Sequence, residues 1–306
     1  MRHRLPVTGP IDLEITFNCG QAFRWVRRAD AWSGVVGGAE INARLDVRLD
    51  APSALLVEIA GEDPGPAALV RYFRLDENPL KHLEHARELR DLPGLLPLFG
   101  LRLLRQDPWE TLASFICSAA ANVGKISACA EGMAARWGDP IAGSARRRFP
   151  SADRLARVRE SGLRALGMGF RAPYLKRAAQ EIASRRWSWE ELREAPYERA
   201  REQLCGLLGV GPKIADCTLL FGLDRLEAYP VDRWIRRATM ELASRRKATD
   251  EELSRWAERF GPGRGYLQQL IFHLRRTGGP LPSLASLRVR AGRLKHDRRM
   301  RAAGSE

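Results

Sequence analysis

Residues 204–234 read LCGLLGVGPKIADCTLLFGLDRLEAYPVDRW, and the first ten of them decide the fold. A helix that ends near Cys205 or Gly206 meets Leu208-Gly209-Val210-Gly211, and Pro212, suited to the first turn of a helix, opens the next one. Two glycines flanking an apolar residue make a tight hairpin whose N–H groups stay unobstructed. Together with the N-terminus of the second helix they form a cradle for a phosphate. Such a helix–hairpin–helix grips a nucleic-acid backbone without reading its sequence. A glycine cap between two packed helices is the plain alternative, and Gly209 and Gly211 alone leave both open.

Lys213 shifts the balance. Only six of the 51 basic residues are lysines (81, 125, 176, 213, 247 and 295), so arginine is the default cation of this chain. The first turn of a helix is electropositive and disfavours a further cation, so a structural argument does not place a lysine there. A primary amine has one use that a guanidinium lacks: unprotonated, it attacks a sugar carbon and forms an imine. A phosphate-binding lysine is the alternative. Asp232 follows 19 residues later (232 − 213), behind Pro230 and before the amphipathic run Trp234, Ile235, Ala238, Leu242, which makes it an N-cap. If the two helices pack, its carboxylate faces Lys213 across a cleft, where it stabilises an oxocarbenium-like sugar and assists proton transfer. An amine and a carboxylate beside a phosphate cradle point to N-glycosidic bond cleavage on DNA.

The rest of the chain is consistent with that partner. Its 306 residues suggest about two domains, and 44% hydrophobic residues exclude wholesale disorder. A net charge of +14 fits nucleic acid or an anionic membrane surface. The apolar stretch around Leu112–Val123 is shorter than the roughly 20 residues that a membrane span needs. The N-terminus lacks the apolar core of a secretory signal, so a cytoplasmic, nucleoid-associated protein is expected. Five scattered cysteines without a CxxC, and five histidines without paired-ligand spacing, leave a disulfide framework, a zinc site and an iron–sulfur cluster without their residues. No cofactor is expected, and the chemistry falls to side chains.

Residues 11–60 alternate with period two (IDLEITF, FRWV, SGVVGG, EINARLDV, ALLVEIA) and predict an antiparallel sheet. From about 65 the period becomes 3.6. PAALVRYFRL and PLKHLEHAREL predict helices, and helical character runs to about 276. Asp107-Pro108-Trp109-Glu110 marks a capped helix start, and Ser188-Trp189-Glu190-Glu191 and Thr249-Asp250-Glu251-Glu252 read as capping boxes. The last 20 residues carry seven Arg or Lys against two acids, giving 7 − 2 = +5, and read as a basic arm. The expected fold is α+β: an N-terminal antiparallel β-sheet domain (1–100), two all-α subdomains with the helix–hairpin–helix (101–280), and a C-terminal arm (281–306).

GVGPKIADC followed by YPVDRW resembles the helix–hairpin–helix DNA glycosylases, and among them the 8-oxoguanine DNA glycosylases. CGQAFRW (Cys19–Trp25) resembles that family's N-terminal signature. RLLRQDPWETLASFICSAAAN (Arg102–Asn122) resembles the helix behind its damaged-strand groove, and LGMGFRAPYL (Leu166–Leu175) and GYLQQLIFHLRR (Gly265–Arg276) resemble two further blocks. The resemblance implies a monomer acting on double-stranded DNA that contains oxidised guanine. Lys213 would displace the damaged base and form the Schiff base that leads to strand cleavage, with Asp232 as the supporting carboxylate. Gly20 would offer the carbonyl that accepts the N7–H distinguishing 8-oxoguanine from guanine. Gln268 would hydrogen-bond the Watson–Crick edge, Phe272 and Cys217 would sandwich the base, and Phe221 would line the pocket. On the DNA itself, Gly209, Gly211 and Trp234 would meet phosphates. Asn122 and Arg171 would fill the vacated stack and bond the orphaned cytosine, with Phe170 as a wedge and Lys125 nearby.

Two departures from the family pattern matter. Relatives of the vertebrate type carry consecutive asparagines and an arginine where this chain has Ala119-Ala120-Ala121-Asn122 and Lys125. One amide and one bidentate guanidinium directed at cytosine are missing, each good bidentate contact being worth about 1–3 kcal/mol of discrimination. A weaker preference for cytosine opposite the lesion is therefore expected. Trp234 stands where relatives often have His or another polar residue. Two alternatives remain. One is a glycosylase for a different lesion, although alkyl-purine enzymes lack the lysine and endonuclease III-like enzymes carry a four-cysteine cluster. The other is a non-catalytic DNA-binding module, which has no need of Lys213, Asp232, Gln268 and Phe272 together.

Overall fold

The computed structural model describes residues 1–48, 51–86, 95–184, 187–279 and 281. The arm expected beyond Leu281 lies outside the described residues, as do the last three residues of PLKHLEHAREL. Strands β1 (Arg2–Pro6), β2 (Val26–Arg28), β3 (Ala31–Val36), β4 (Ala39–Arg48) and β5 (Ala51–Ala60) form one sheet in the order β1-β5-β4-β3-β2, every pair antiparallel. The register sets Ile41 opposite Ile59 and Ala43 opposite Val57, so the period-two pattern buries one face. Helices α1 (Leu13–Asn18) and α2 (Pro66–Phe73) help to build that sheet's core, with Phe17 stacked on Trp25 at 4.1 Å.

Four segments depart from the sequence expectation. IDLEITF is mostly the helix α1, because Asp12 caps Ile15 N–H and Leu13, Thr16 and Phe17 are buried at spacings of three and four. FRWV contributes only Val26 to a strand, while Phe23 and Trp25 anchor a loop in the core. β1 was unmarked in the sequence because Leu5 is the one buried residue in its pattern. Pro79–Ala86 is a 3₁₀ helix rather than an α-helix.

Among the described residues the further α-helices are α3 (Pro108–Ile116), α4 (Val123–Trp137), α5 (Ala152–Arg157), α6 (Glu160–Arg164), α7 (Arg171–Ala183), α8 (Trp189–Glu194), α9 (Tyr197–Cys205), α10 (Pro212–Gly222), α11 (Arg233–Leu242), α12 (Asp250–Ala257) and α13 (Arg264–Arg276). Local capping sets their starts: Asp107 caps Glu110 N–H, Ser188 caps Glu191 N–H, and Thr249 with Glu252 closes a full capping box. Helix α10 is the central one, with Ile214 to Gly222 buried throughout. At its far end a methyl on Gly222 would come within 2.8 Å of Pro108 Cα, so α10 and α3 meet backbone to backbone. The N-terminus of α10 stays exposed at Gly211 and Pro212.

Buried arginines tie the sheet unit to the helices. Arg102 is fully buried, and its guanidinium donates to the carbonyls of Pro10 (3.0 Å), Arg74 (2.7 Å), Glu77 (2.5 Å) and Thr8 (2.6 Å). Arg74 donates to Leu103 O (2.8 Å) and Glu77 (2.7 Å) and also bonds Asp224.

Candidate active site

The hairpin has the predicted form. Helix α9 ends at Cys205, and Gly209 adopts φ +80°. A side chain at Gly209 would drive its Cβ to 2.3 Å from the Tyr174 ring, so that glycine is required by both conformation and space. Gly211 differs. Its backbone is extended, it is exposed, and a Cβ there meets nothing within 4 Å. The space beside Gly211, at the N-terminus of α10, is open to an external group.

Lys213 is half-buried in the first turn of α10, and its Nζ donates to Ser118 Oγ at 3.0 Å and lies 4.8 Å from the centre of the Phe115 ring. Asp232 caps α11, its Oδ1 accepting from Trp234 N–H (2.9 Å) and Ile235 N–H (2.8 Å). Cys217, one turn after Lys213, senses both groups: burial pushes its thiol up to about 12, Lys213 opposes that rise, and the Asp232 carboxylate adds to it. The thiol therefore stays protonated and serves as a small apolar wall. Lys213 and Asp232 both lie close enough to Cys217 to act on its thiol.

Helix α13 packs on α11 and brings Gln268 to Pro230, two residues before Asp232. Gln268 is buried, its Nε2 donating to Pro230 O at 3.0 Å while its Oε1 has no hydrogen-bond partner among the described residues. An unpaired buried amide oxygen costs about 1–3 kcal/mol, so it signals an absent donor. Four residues on, Phe272 borders Gly20, where a Cβ would come to 3.3 Å from its ring. Gly20 has φ +82° and sits in a loop whose carbonyls are held by side chains. Arg276 binds the carbonyl of Asn18, Gln269 that of Cys19 (2.7 Å), and Gln106 that of Gln21 (2.9 Å). No such donor, among the described residues, takes the carbonyl of Gly20.

Comparison with known proteins places the chain in a family. Residues 4–112 match the family model of the 8-oxoguanine DNA glycosylase N-terminal domain, and residues 113–262 match that of the HhH-GPD superfamily of base excision DNA repair proteins. The chain belongs to the HhH-GPD superfamily, in its 8-oxoguanine DNA glycosylase branch. The N-glycosylase/DNA lyase of Saccharomyces cerevisiae is 33% identical over 238 residues, which are 70% of this chain and 63% of the yeast protein. The probable N-glycosylase/DNA lyase of Methanothermobacter thermautotrophicus is 34% identical over 203 residues, 58% of this chain and 65% of that one. The chain thus spans somewhat under two thirds of the length of these relatives. Among solved structures, the Clostridium acetobutylicum 8-oxoguanine glycosylase/lyase, in complex with double-stranded DNA containing cytosine opposite 8-oxoguanine, superposes with a TM-score of 0.79. It is 27% identical, over 90% of this chain and 98% of that one.

Other residues of this glycosylase-family chain stand apart from the cleft or are already engaged. Phe221 is a core residue, stacked on Phe115 at 5.5 Å and 15°; Phe115, rather than Phe221, meets Lys213. Asn122 is exposed and caps α4 by accepting from Lys125 N–H at 2.9 Å, and the Lys125 side chain is exposed beside it. Phe170 protrudes at 52% exposure, with the Arg171 guanidinium 4.6 Å from its ring centre. Arg171 itself is buried and donates to Ala119 O (2.5 Å), Ala120 O (3.0 Å) and Met168 O (3.1 Å), so its guanidinium shapes the loop before Asn122. Trp234, in the first turn of α11, carries the Arg233 guanidinium 5.1 Å from its ring centre. Sequence reasoning missed Ser118, Phe115, Gln269 and Gln106. Each lies inside a block quoted above, but only the fold shows which of a block's residues point at the site.

Proposed function

We propose that the chain is a bifunctional 8-oxoguanine DNA glycosylase/AP lyase acting on duplex DNA with a flipped-out base. The carrying observation is a lysine amine and a carboxylate that both act on the buried Cys217 thiol, together with an unpaired buried amide oxygen on Gln268. The unprotonated Lys213 amine attacks C1′ of the damaged nucleotide as the bond to the base breaks, and the base leaves with its electron pair and is protonated. The aminal so formed opens by breaking the C1′–O4′ bond, O4′ taking a proton from the amine nitrogen; the resulting protonated imine acidifies C2′, and loss of that proton expels the 3′ phosphate. Asp232 stabilises the cationic sugar. Gln268 Oε1 accepts from the base, the Gly20 carbonyl takes the N7–H that guanine lacks, and Phe272 and Cys217 cover its faces.

The proposal is of a cofactor-free monomer working in the cytoplasm on nucleoid DNA, with reduced preference for cytosine opposite the lesion. Borohydride trapping on 8-oxoguanine duplexes tests it. Wild type is expected to form a covalent complex and Lys213→Gln none. Excision opposite C, T, G and A is expected to vary less than a full set of cytosine contacts imposes. Equal trapping by Lys213→Gln would move the nucleophile elsewhere, and duplex binding without trapping by wild type would favour a non-catalytic module.

The two hairpin glycines separate structure from binding. Gly209→Ala should lower the thermal midpoint, since a left-handed backbone costs an alanine about 1–2 kcal/mol even before the Tyr174 clash. Gly211→Ala should leave the midpoint unchanged and weaken duplex binding about tenfold, as expected for one obstructed charge-assisted N–H contact. Anisotropy titration and thermal melting of both variants read the difference.

A further inference from the structure

Ser118 is the residue that holds the Lys213 amine, and its own hydrogen bonds fix what it can do. It follows α3, and its Oγ lies 2.6 Å from Phe115 O, to which it donates its only hydrogen. Its oxygen is left as an acceptor, and the Lys213 Nζ donates to it at 3.0 Å. The backbone around it is equally determined. Ser118 N–H also donates to Phe115 O (3.0 Å), Ser118 O accepts from Ala121 N–H (3.1 Å), and Arg171 bonds the carbonyls of Ala119 and Ala120. Swinging the hydroxyl away would break its bond to Phe115 O.

An acceptor-only partner has a consequence specific to an amine nucleophile. A neutral amine has two N–H bonds and one lone pair, and only the lone pair attacks carbon. A partner able to donate would engage the lone pair and block it. Ser118 Oγ, its hydrogen spent on Phe115 O, engages an N–H and turns the lone pair elsewhere. The Phe115 ring covers another side of the amine at 4.8 Å, which excludes water from that direction.

We infer that Ser118 is a positioning residue for the nucleophile, accepting an N–H of Lys213 so that the amine lone pair faces the sugar. The inference rests on Lys213 being the nucleophile proposed above, and it deepens that reading. It also joins two parts of the molecule, because the turn that begins at Ser118 ends at Asn122, the cap of α4 exposed next to Lys125. The segment offered to the opposite strand and the aim of the amine are thus set by the same turn.

The test uses a duplex with a preformed abasic site, where amine attack is read without any choice of base. Single-turnover strand cleavage and borohydride trapping are measured for wild type, Ser118→Ala, Ser118→Thr and Lys213→Gln, alongside duplex affinity and thermal midpoint. Ser118→Ala is expected to slow both reactions about tenfold or more, since a modest loss of aim costs such factors, with affinity and midpoint unchanged. Ser118→Thr, which keeps the hydroxyl, restores them. Three results overturn the assignment: an Ala variant as fast as wild type, a loss of rate matched by loss of affinity or midpoint, or a Thr variant as slow as Ala. Undiminished trapping by Lys213→Gln overturns the nucleophile itself and this assignment with it. Abasic-site trapping that needs Lys213 without any excision of 8-oxoguanine overturns only the substrate proposed.

Discussion

Asp232→Asn is expected to fold as wild type does and to lose excision by about 10²–10³-fold, the range found when one electrostatic stabiliser of a transition state is removed. The two roles of this carboxylate separate cleanly. Its Oδ1 accepts from the N–H groups of Trp234 and Ile235, and an asparagine Oδ1 does the same. Asn and Asp are comparable N-caps, so the helix α11 keeps its start, minus a charge–dipole contribution of about 0.3–1 kcal/mol. What disappears is the negative charge in the cleft with Lys213, needed as positive charge develops on the sugar. Asp232→Ala removes cap and charge together and should lose the same activity plus about 1 kcal/mol of stability. Single-turnover excision and melting of both variants decide it. An Asn variant within threefold of wild type would reduce Asp232 to a cap.

The second large effect is on stability. Arg102→Met keeps roughly the volume of the side chain and deletes every donor, leaving the carbonyls of Thr8, Pro10, Arg74 and Glu77 without this partner in a dry interface. Breaking a buried charged network from one side costs about 3–5 kcal/mol, which corresponds to a fall in thermal midpoint of about 10 °C for a chain of this size. Because those carbonyls belong to the connections around the sheet unit, and Arg74 passes the network on to Asp224, the sheet unit and the helices should loosen together. Hydrogen exchange would show protection lost on both sides. A variant melting within about 2 °C of wild type, the shift that about 1 kcal/mol produces, would mean that water replaces the guanidinium at little cost.

What was legible in the sequence is what neighbours within four residues determine. Asp107, Ser188, Asp232 and Thr249 each cap the helix that follows, because a cap is a contact between a side chain and an N–H two or three residues on. The hairpin was legible for the same reason, and so were the places of Lys213 in the first turn of one helix and of Asp232 at the cap of the next. IDLEITF was not: seven residues fit a period of two as well as one of 3.6, and only the Asp12 bond to Ile15 N–H decides between them.

Arginine misled more deeply. Treating it as the default surface cation suited a DNA-binding chain, yet Arg24, Arg74, Arg102 and Arg171 are all buried and spend their donors inside the protein. A planar group with five donors answers a cluster of backbone carbonyls as well as it answers a phosphate. Which of the two it meets depends on chain segments up to 123 residues away, as for Arg24 and the carbonyl of Arg147. Ser118 was invisible for a related reason, its partner Lys213 lying 95 residues downstream.

The loop around Gly20 has a bearing on how the molecule comes into being. Two of the side chains that hold it, Gln269 and Arg276, reach back across 250 and 258 residues, so one of the first segments synthesised is set in place by one of the last helices. Before α13 emerges from the ribosome, the nascent chain already contains the hairpin, the amine and its carboxylate, but neither the Gln268–Phe272 wall nor the clamps on the loop. On the proposed reading, the residues for reaction are translated ahead of those for discrimination, and the last of the described helices supplies the latter.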